Sequence, residues 1–219
     1  MTSSADAVKR TIDSPLRREQ AAATRRRIIA AATGLFASKG YVATSIEDIA
    51  AEAGVGRATV FKAVGGKPLI LKLAFDTAVA GDDAPVPVAG RANARQIEAE
   101  ADPYRAVELF AHGVAERVSR AAPIYWAIVE AAGGDPQARQ LMDELDEQRG
   151  RAGRLVAAHL VRKGPLREGL DEEAAAQIVS VFVEPAAYRT LVLQHGWTGE
   201  RFSRWLATTL ADQLLPPRP

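Results

Sequence analysis

Across 219 residues there is no cysteine. Disulfides, thiolate-held zinc, iron–sulfur clusters and a thiol nucleophile are therefore excluded. Only three histidines are present, none in a ligand-like pair, so neither a metal nor another cofactor is expected. There is no nucleophile–base motif and no glycine-rich phosphate loop, which argues against an enzyme. The N-terminus lacks the apolar core of a signal peptide. The longest apolar runs are broken by charge well before the roughly 20 residues a membrane span needs. The expectation is a cytoplasmic protein with no membrane partner. β-Branched alternation is also scarce, and no strand is expected.

What the chain has is helix-forming composition and an uneven charge. The formal net charge is +1, yet residues 1–80 hold 12 Lys and Arg against 7 Asp and Glu, and the remainder 16 against 20. A basic first third suits a polyanion, although solvated helix faces produce the same asymmetry. Ala, Leu, Arg and Glu dominate, and the reading is all-α with about nine helices. Residues 1–15 are polar and read as a flexible tail. An amphipathic helix fits 16–38 and stops at Gly40. Thr44 with Glu47 three residues on suggests a capping box opening a second helix. A third helix begins near Arg57 and ends before Gly65. Residues 67–80 form a connecting helix with proline in its first turn. The segment GDDAPVPVAGRANARQ marks 81–102 as a linker or long loop. Helices resume at 103–120, 123–132 and 136–163, and two more cover 171–195 and 199–214, the last capped by Thr198.

The stretch IEDIAAEAGVGRATVFKAV (46–64) carries the sharpest signal. Ile49, Ala50 and Ala53 make an inward face, Gly54 permits a left-handed turn, Val55 plugs it, and Val60 and Val64 face inward from the next helix. That is the spacing of a helix-turn-helix. It leaves Arg57, Ala58, Thr59 and Lys62 outward, a short polar set able to enter a major groove. Residues 16–66 are therefore the candidate DNA-binding domain, although many helical hairpins also turn at a glycine.

The run from Arg25 to Leu71 resembles the DNA-binding domain of the tetracycline-repressor (TetR) family. The matching residues include Leu35-Phe36, Gly40-Tyr41, Thr44-Ser45, Asp48-Ile49-Ala50, Ala53-Gly54-Val55, Thr59-Val60-Phe61 and Lys67. The C-terminal run EPAAYRTLVLQHGWTGERFSRWLATTL resembles the last two helices of many actinobacterial-type members. The resemblance implies an all-α homodimer whose first three helices bind a palindromic DNA operator. Residues 103–215 would bind a small-molecule effector and dimerise, most often releasing a repressor from DNA. Arg57, Thr59 and Lys62 are candidates for base contact, with Ala58 outward beside them and Gly56 allowing close approach. Thr44, Lys67 and Arg26 are candidates for phosphate, the first two at helix N-termini that favour anions. Phe61 stands where the family usually has Tyr, and cannot donate the phosphate hydrogen bond of that hydroxyl. Ala63, Val64 and Gly66 also depart from the family pattern. These departures keep a second reading open: a small-molecule-binding or interaction protein of the same fold with weakened DNA binding.

Phe110, Tyr125, Trp126, Glu130, Phe182, Glu184 and Tyr188 are candidates for lining the effector pocket, with core packing as the competing reading for each. The helix over 171–195 is apolar on more than one face and must bury against more than one partner. That suits a homodimer through the last two helices, closing a four-helix bundle between subunits.

Overall fold

The computed structural model describes residues 15–81 and 92–218. The N-terminal tail and the centre of the proposed linker lie outside the described residues. The described residues form ten helices and no strand. Helix α1 spans Pro15–Lys39, α2 Ile46–Glu52, α3 Arg57–Val64 and α4 Lys67–Ala80. Helix α5 covers Ala92–Ala99, α6 Pro103–Ala132 and α7 Pro136–Lys163. Helix α8 covers Glu172–Phe182, α9 Ala186–Tyr188 and α10 Gly199–Leu214. A π-helical turn, Arg189–Gln194, continues α9.

Helix α6 is the spine. Its first half carries Val107, Phe110, Val114 and Val118, which bury against α5, α8 and α10. Its second half carries Ile124, Tyr125 and Ile128, which bury against α1, α4 and α7. Apolar residues recur along α6 at three- and four-residue steps, so a single rod serves both cores. Helix α10 does the same on a smaller scale: Phe202, Leu206, Leu210 and Leu214 are spaced by four and fully buried. Helices α7 and α8 pack closely because Gly153 has no side chain. A Cβ there would lie 2.2 Å from the Ala176 carbonyl oxygen.

Four expectations need correction. First, Ser45, not Thr44, caps α2. The Ser45 hydroxyl accepts from the Asp48 amide at 3.0 Å, and the Asp48 carboxylate accepts from the Ser45 amide at 2.9 Å. Both Thr44 and Ser45 are followed three residues on by an acid, so the motif alone is degenerate. Burial decides: Thr44 is 1 % exposed and its hydroxyl donates to the Gly40 carbonyl at 2.7 Å. Second, residues 92–99 of the proposed linker are helical and pack on α6 through Ile97 and Asn93. Third, α6 runs unbroken through Pro123. Pro123 faces solvent, so the carbonyl its ring frees one turn earlier can be met by water. Fourth, the single helix expected over 171–195 is interrupted at Val183–Pro185.

Candidate functional site

The α2–α3 pair forms because its inward residues are small or β-branched and its turn is a glycine. Ile49, Ala50, Val60 and Val64 are buried together. Gly54 takes φ +64°, which only glycine adopts without strain, and the Val55 amide returns to the Ala50 carbonyl at 2.9 Å. Arg57, Ala58, Thr59, Phe61 and Lys62 are consequently all exposed on one α3 face, with Gly56 as its N-cap. Phe61 is 45 % exposed. An aromatic ring on open water is a cost unless something covers it.

Several charges on and around this face are already engaged. The Arg57 guanidinium lies 2.9 Å from the Glu47 carboxylate and 5.5 Å from the Phe61 ring centroid. Both partners of that ion pair are well exposed, so it stabilises by at most about 1 kcal/mol and opens readily. Arg25 donates to the Ala63 carbonyl at 3.4 Å and ties α1 to the end of α3. Arg26 is exposed on α1. Thr44 does not reach the surface at all. The Lys67 ammonium is turned onto the Tyr41 ring, 4.0 Å from its centroid. Burial lowers the Lys67 pKa, and Asp135 and Glu130 act in the opposite sense.

That lysine belongs to a junction between the helix-turn-helix and the C-terminal helices. The Tyr41 hydroxyl donates to Asp135 at 2.7 Å, and its amide donates to Glu130 at 3.1 Å. Gly40 takes φ +79°, and a Cβ there would fall 2.6 Å from the Glu130 carboxylate. Glu130, expected at an effector pocket, thus sits at this junction instead.

A cavity of about 510 Å3 opens between α4, α5, α6 and α7 and the break after α8. That volume falls within the range of about 300–1,000 Å3 typical of small-molecule sites. Of the seven residues expected to line such a pocket, the structure brings Phe110 to it. The others are engaged elsewhere. Tyr125 donates to Glu184 at 2.7 Å, so the carboxylate beside the kink turns away from the cavity while Val183 and Pro185 line it. Burial, then the Glu184 hydrogen bond, raises the Tyr125 pKa. Trp126 lies under the Arg189 guanidinium at 4.1 Å. Phe182 packs edge-on against Trp205, and Tyr188 against Phe202.

The polar residues that do line the cavity include Asn93, Arg117, Gln148, Arg149 and His159. Arg117 had a signal in the sequence. It interrupts the apolar series Phe110, Val114, Val118, Ala121 on one face of α6, where a charge has no reason to be unless the face borders a polar space. Among the described residues no cluster of acids and histidines could hold a metal ion, and no helix is long and apolar enough to cross a membrane.

Comparison with known proteins agrees with this geometry. The model of the family described as "Bacterial regulatory proteins, tetR family" matches residues 28–67. No curated protein matches the chain. Among solved structures, NalD, the secondary repressor of the MexAB-OprM multidrug efflux pump in Pseudomonas aeruginosa, is similar with a TM-score of 0.67 at 17 % identity. The match covers 90 % of this chain and 98 % of NalD. The TetR family transcriptional regulator PfmR from Thermus thermophilus gives a TM-score of 0.58 at 22 % identity, covering 85 % of this chain and 98 % of PfmR. A candidate transcriptional regulator from Saccharomonospora viridis in complex with choline gives 0.66 at 19 % identity, covering 90 % and 100 %. Residues 28–67 thus match the tetR-family model, and the described residues have the fold seen in solved TetR-family transcriptional regulators.

Proposed function

We propose that this protein is a homodimeric, cytoplasmic repressor, without enzymatic activity, that binds a palindromic operator and is released by a small molecule. The observation that carries the reading is the α3 face. Arg57, Ala58, Thr59, Phe61 and Lys62 stand exposed beside one another while Val60 and Val64 hold the helix down. Arg57, Thr59 and Lys62 would meet base edges, and Lys67 and Arg26 phosphates, with Gly56 allowing close approach. Residues 16–66 would act as the DNA-binding unit, 67–80 as its connection and 103–215 as the effector and dimerisation unit. The cavity, and the choline complex of a protein with the same fold, support a small-molecule effector.

Dimerisation is supported by apolar side chains left uncovered in the single chain. Val181 on α8 is 65 % exposed and Leu193 on the π turn is 57 % exposed. In sequence, Val181 adjoins Phe182 and Leu193 lies four residues before Trp197, and both of these rings pack on Trp205. A second subunit meeting this face would bury them and supply the two-fold symmetry that two half-sites require.

The test is fluorescence anisotropy of the purified protein against DNA tiling its own promoter, over a salt series. Nanomolar binding to one palindromic fragment that weakens steeply with salt supports the reading. Weak, fragment-independent binding overturns it and favours a ligand-binding protein with impaired DNA contact. That second reading rests on Phe61, whose ring is covered by Arg57 where a hydroxyl could have met phosphate. In that case Phe61→Tyr should raise DNA affinity sharply, and no change counts against it.

A further inference from the structure

Among the described residues, the cavity between α4 and α7 is lined by arginine, asparagine, glutamine and histidine, and by no aspartate or glutamate. Its remaining wall is apolar, with Phe75, Ile97, Phe110, Val114 and Leu145 contributing. The three lining arginines differ in their partners. Arg149 pairs with Asp146, one turn away on α7. Arg151 pairs with Glu147 at 3.4 Å. Arg117 makes no hydrogen bond or ion pair with any described residue. The neighbouring acid on its helix, Glu116, lies 3.4 Å from His112. The neighbouring cation, Arg120, donates instead to the Ala78 and Val79 carbonyls at 3.0 and 3.4 Å.

Arg117 is thus a partly buried guanidinium on a cavity wall, with five donors and nothing to receive them. Burial first, then Arg120, lowers its pKa to about 10, which leaves it charged at neutral pH. An unpaired charge away from water is costly, and the cost is removed when an anion enters. A guanidinium fork matches the two oxygens of a carboxylate.

We propose that the cavity binds an apolar-bodied monocarboxylate, its carboxylate on Arg117 and its body along the wall of Phe75, Ile97, Phe110, Val114 and Leu145. One unpartnered cation accommodates one negative charge. With no acid among the described lining residues, a cationic ligand is disfavoured, because it would meet the uncompensated Arg117. The assignment deepens the effector reading above and rests on that reading's choice of this cavity as the ligand site.

The test is calorimetric titration of the full-length, DNA-free protein with decanoate and 2-naphthoate. The matched controls are 1-decanol, 2-naphthol and decyltrimethylammonium. At least one acid should bind about tenfold or more tightly than its alcohol, and the cation should not compete. Arg117→Met should cost that acid about tenfold to a hundredfold while leaving alcohol binding within about twofold. Arg117→Lys should restore part of the preference. Removing an unpaired buried charge does not threaten the fold, and the charge series on the unaltered protein needs no variant. The proposal is overturned if neither acid binds, if alcohol or cation binds as well as acid, or if Arg117→Met leaves acid affinity unchanged. Adding operator DNA separates the two readings. An acid that binds through Arg117 yet leaves DNA bound upholds the cavity assignment and overturns effector release. A neutral compound that binds in the cavity and releases DNA does the reverse.

Discussion

The Tyr41 hydroxyl donates a 2.7 Å hydrogen bond to the Asp135 carboxylate, across 94 residues of sequence. Asp135 also caps α7, accepting from the Gln137 and Ala138 amides at 2.9 and 3.3 Å. A residue in the turn between α1 and α2 is therefore bonded to the N-cap of α7, a helix that lines the cavity.

This contact predicts a pH-dependent stability. The Tyr41 hydrogen bond, more than any other cause, holds the Asp135 carboxyl below the usual carboxylate range. A depressed folded pKa contributes stability above the unfolded value of about 3.9 and loses it as pH falls through the folded value. Tyr41→Phe should therefore cost about 1 kcal/mol at pH 7 and progressively less below about pH 4. Tyr41 itself is raised, by burial first and Asp135 second. Its contribution is full below about pH 10, its unfolded value, and is lost above it; the Phe variant lacks that alkaline loss. Urea midpoints at pH 2.5, 4, 7 and 10.5 test both limbs. A constant difference between the two proteins would refute the assignment.

Two helical glycines should respond oppositely to alanine. Gly34 on α1 has nothing within 4 Å of the position a Cβ would take, so Gly34→Ala should stabilise by about 0.5–1 kcal/mol through helix propensity. At Gly153 the same Cβ would lie 2.2 Å from the Ala176 carbonyl oxygen, which is backbone and cannot step aside. Gly153→Ala should destabilise by about 1–3 kcal/mol despite the same propensity gain. Thermal melts of the two variants should shift in opposite directions.

Arg57 on α3 and Lys67 on α4 should separate in DNA binding. Arg57→Ala should cost about 1–3 kcal/mol on the preferred operator and relax sequence preference at one position. Lys67→Ala should weaken all sequences about equally and reduce the salt slope by about 1. Glu47→Ala should free Arg57 from its 2.9 Å partner and tighten binding slightly. Anisotropy on the operator and single-base variants distinguishes these patterns. Equal losses for Arg57→Ala on every sequence would place Arg57 on phosphate.

The exposed Val181 and Leu193 predict the dimer face. Val181→Asp with Leu193→Asp should leave the helical content of the fold intact and convert the protein to monomers in analytical ultracentrifugation. Operator affinity should then fall by more than tenfold, because each half-site binds alone. A dimer that survives both charges would place the interface elsewhere.

The helix-turn-helix was legible because its signal is local. Ile49, Ala50, Gly54, Val55 and Val60 lie within one short stretch, and the family resemblance separates this glycine turn from those of other helical hairpins. The cap of α2 slipped by one residue because Thr44 and Ser45 both satisfy the motif, and only packing against Gly40 chose between them. The same limit applied to the cavity. Tyr125, Trp126 and Phe182 are aromatic and near the kink, but which way an aromatic faces depends on the helices beside it. The interruption at Val183–Pro185 turns Glu184 to Tyr125 and leaves Pro185 on the cavity wall. The sequence by itself determined an all-α chain, its N-terminal helix-turn-helix and the outward set on α3, since periodicity and a turn residue suffice for these. Only the tertiary structure decided that Glu130 closes a junction, that Arg117 lines the cavity without a partner, and that α5 exists as a packed helix. Those are contacts between residues far apart in the chain, where the neighbour rather than the residue sets the role.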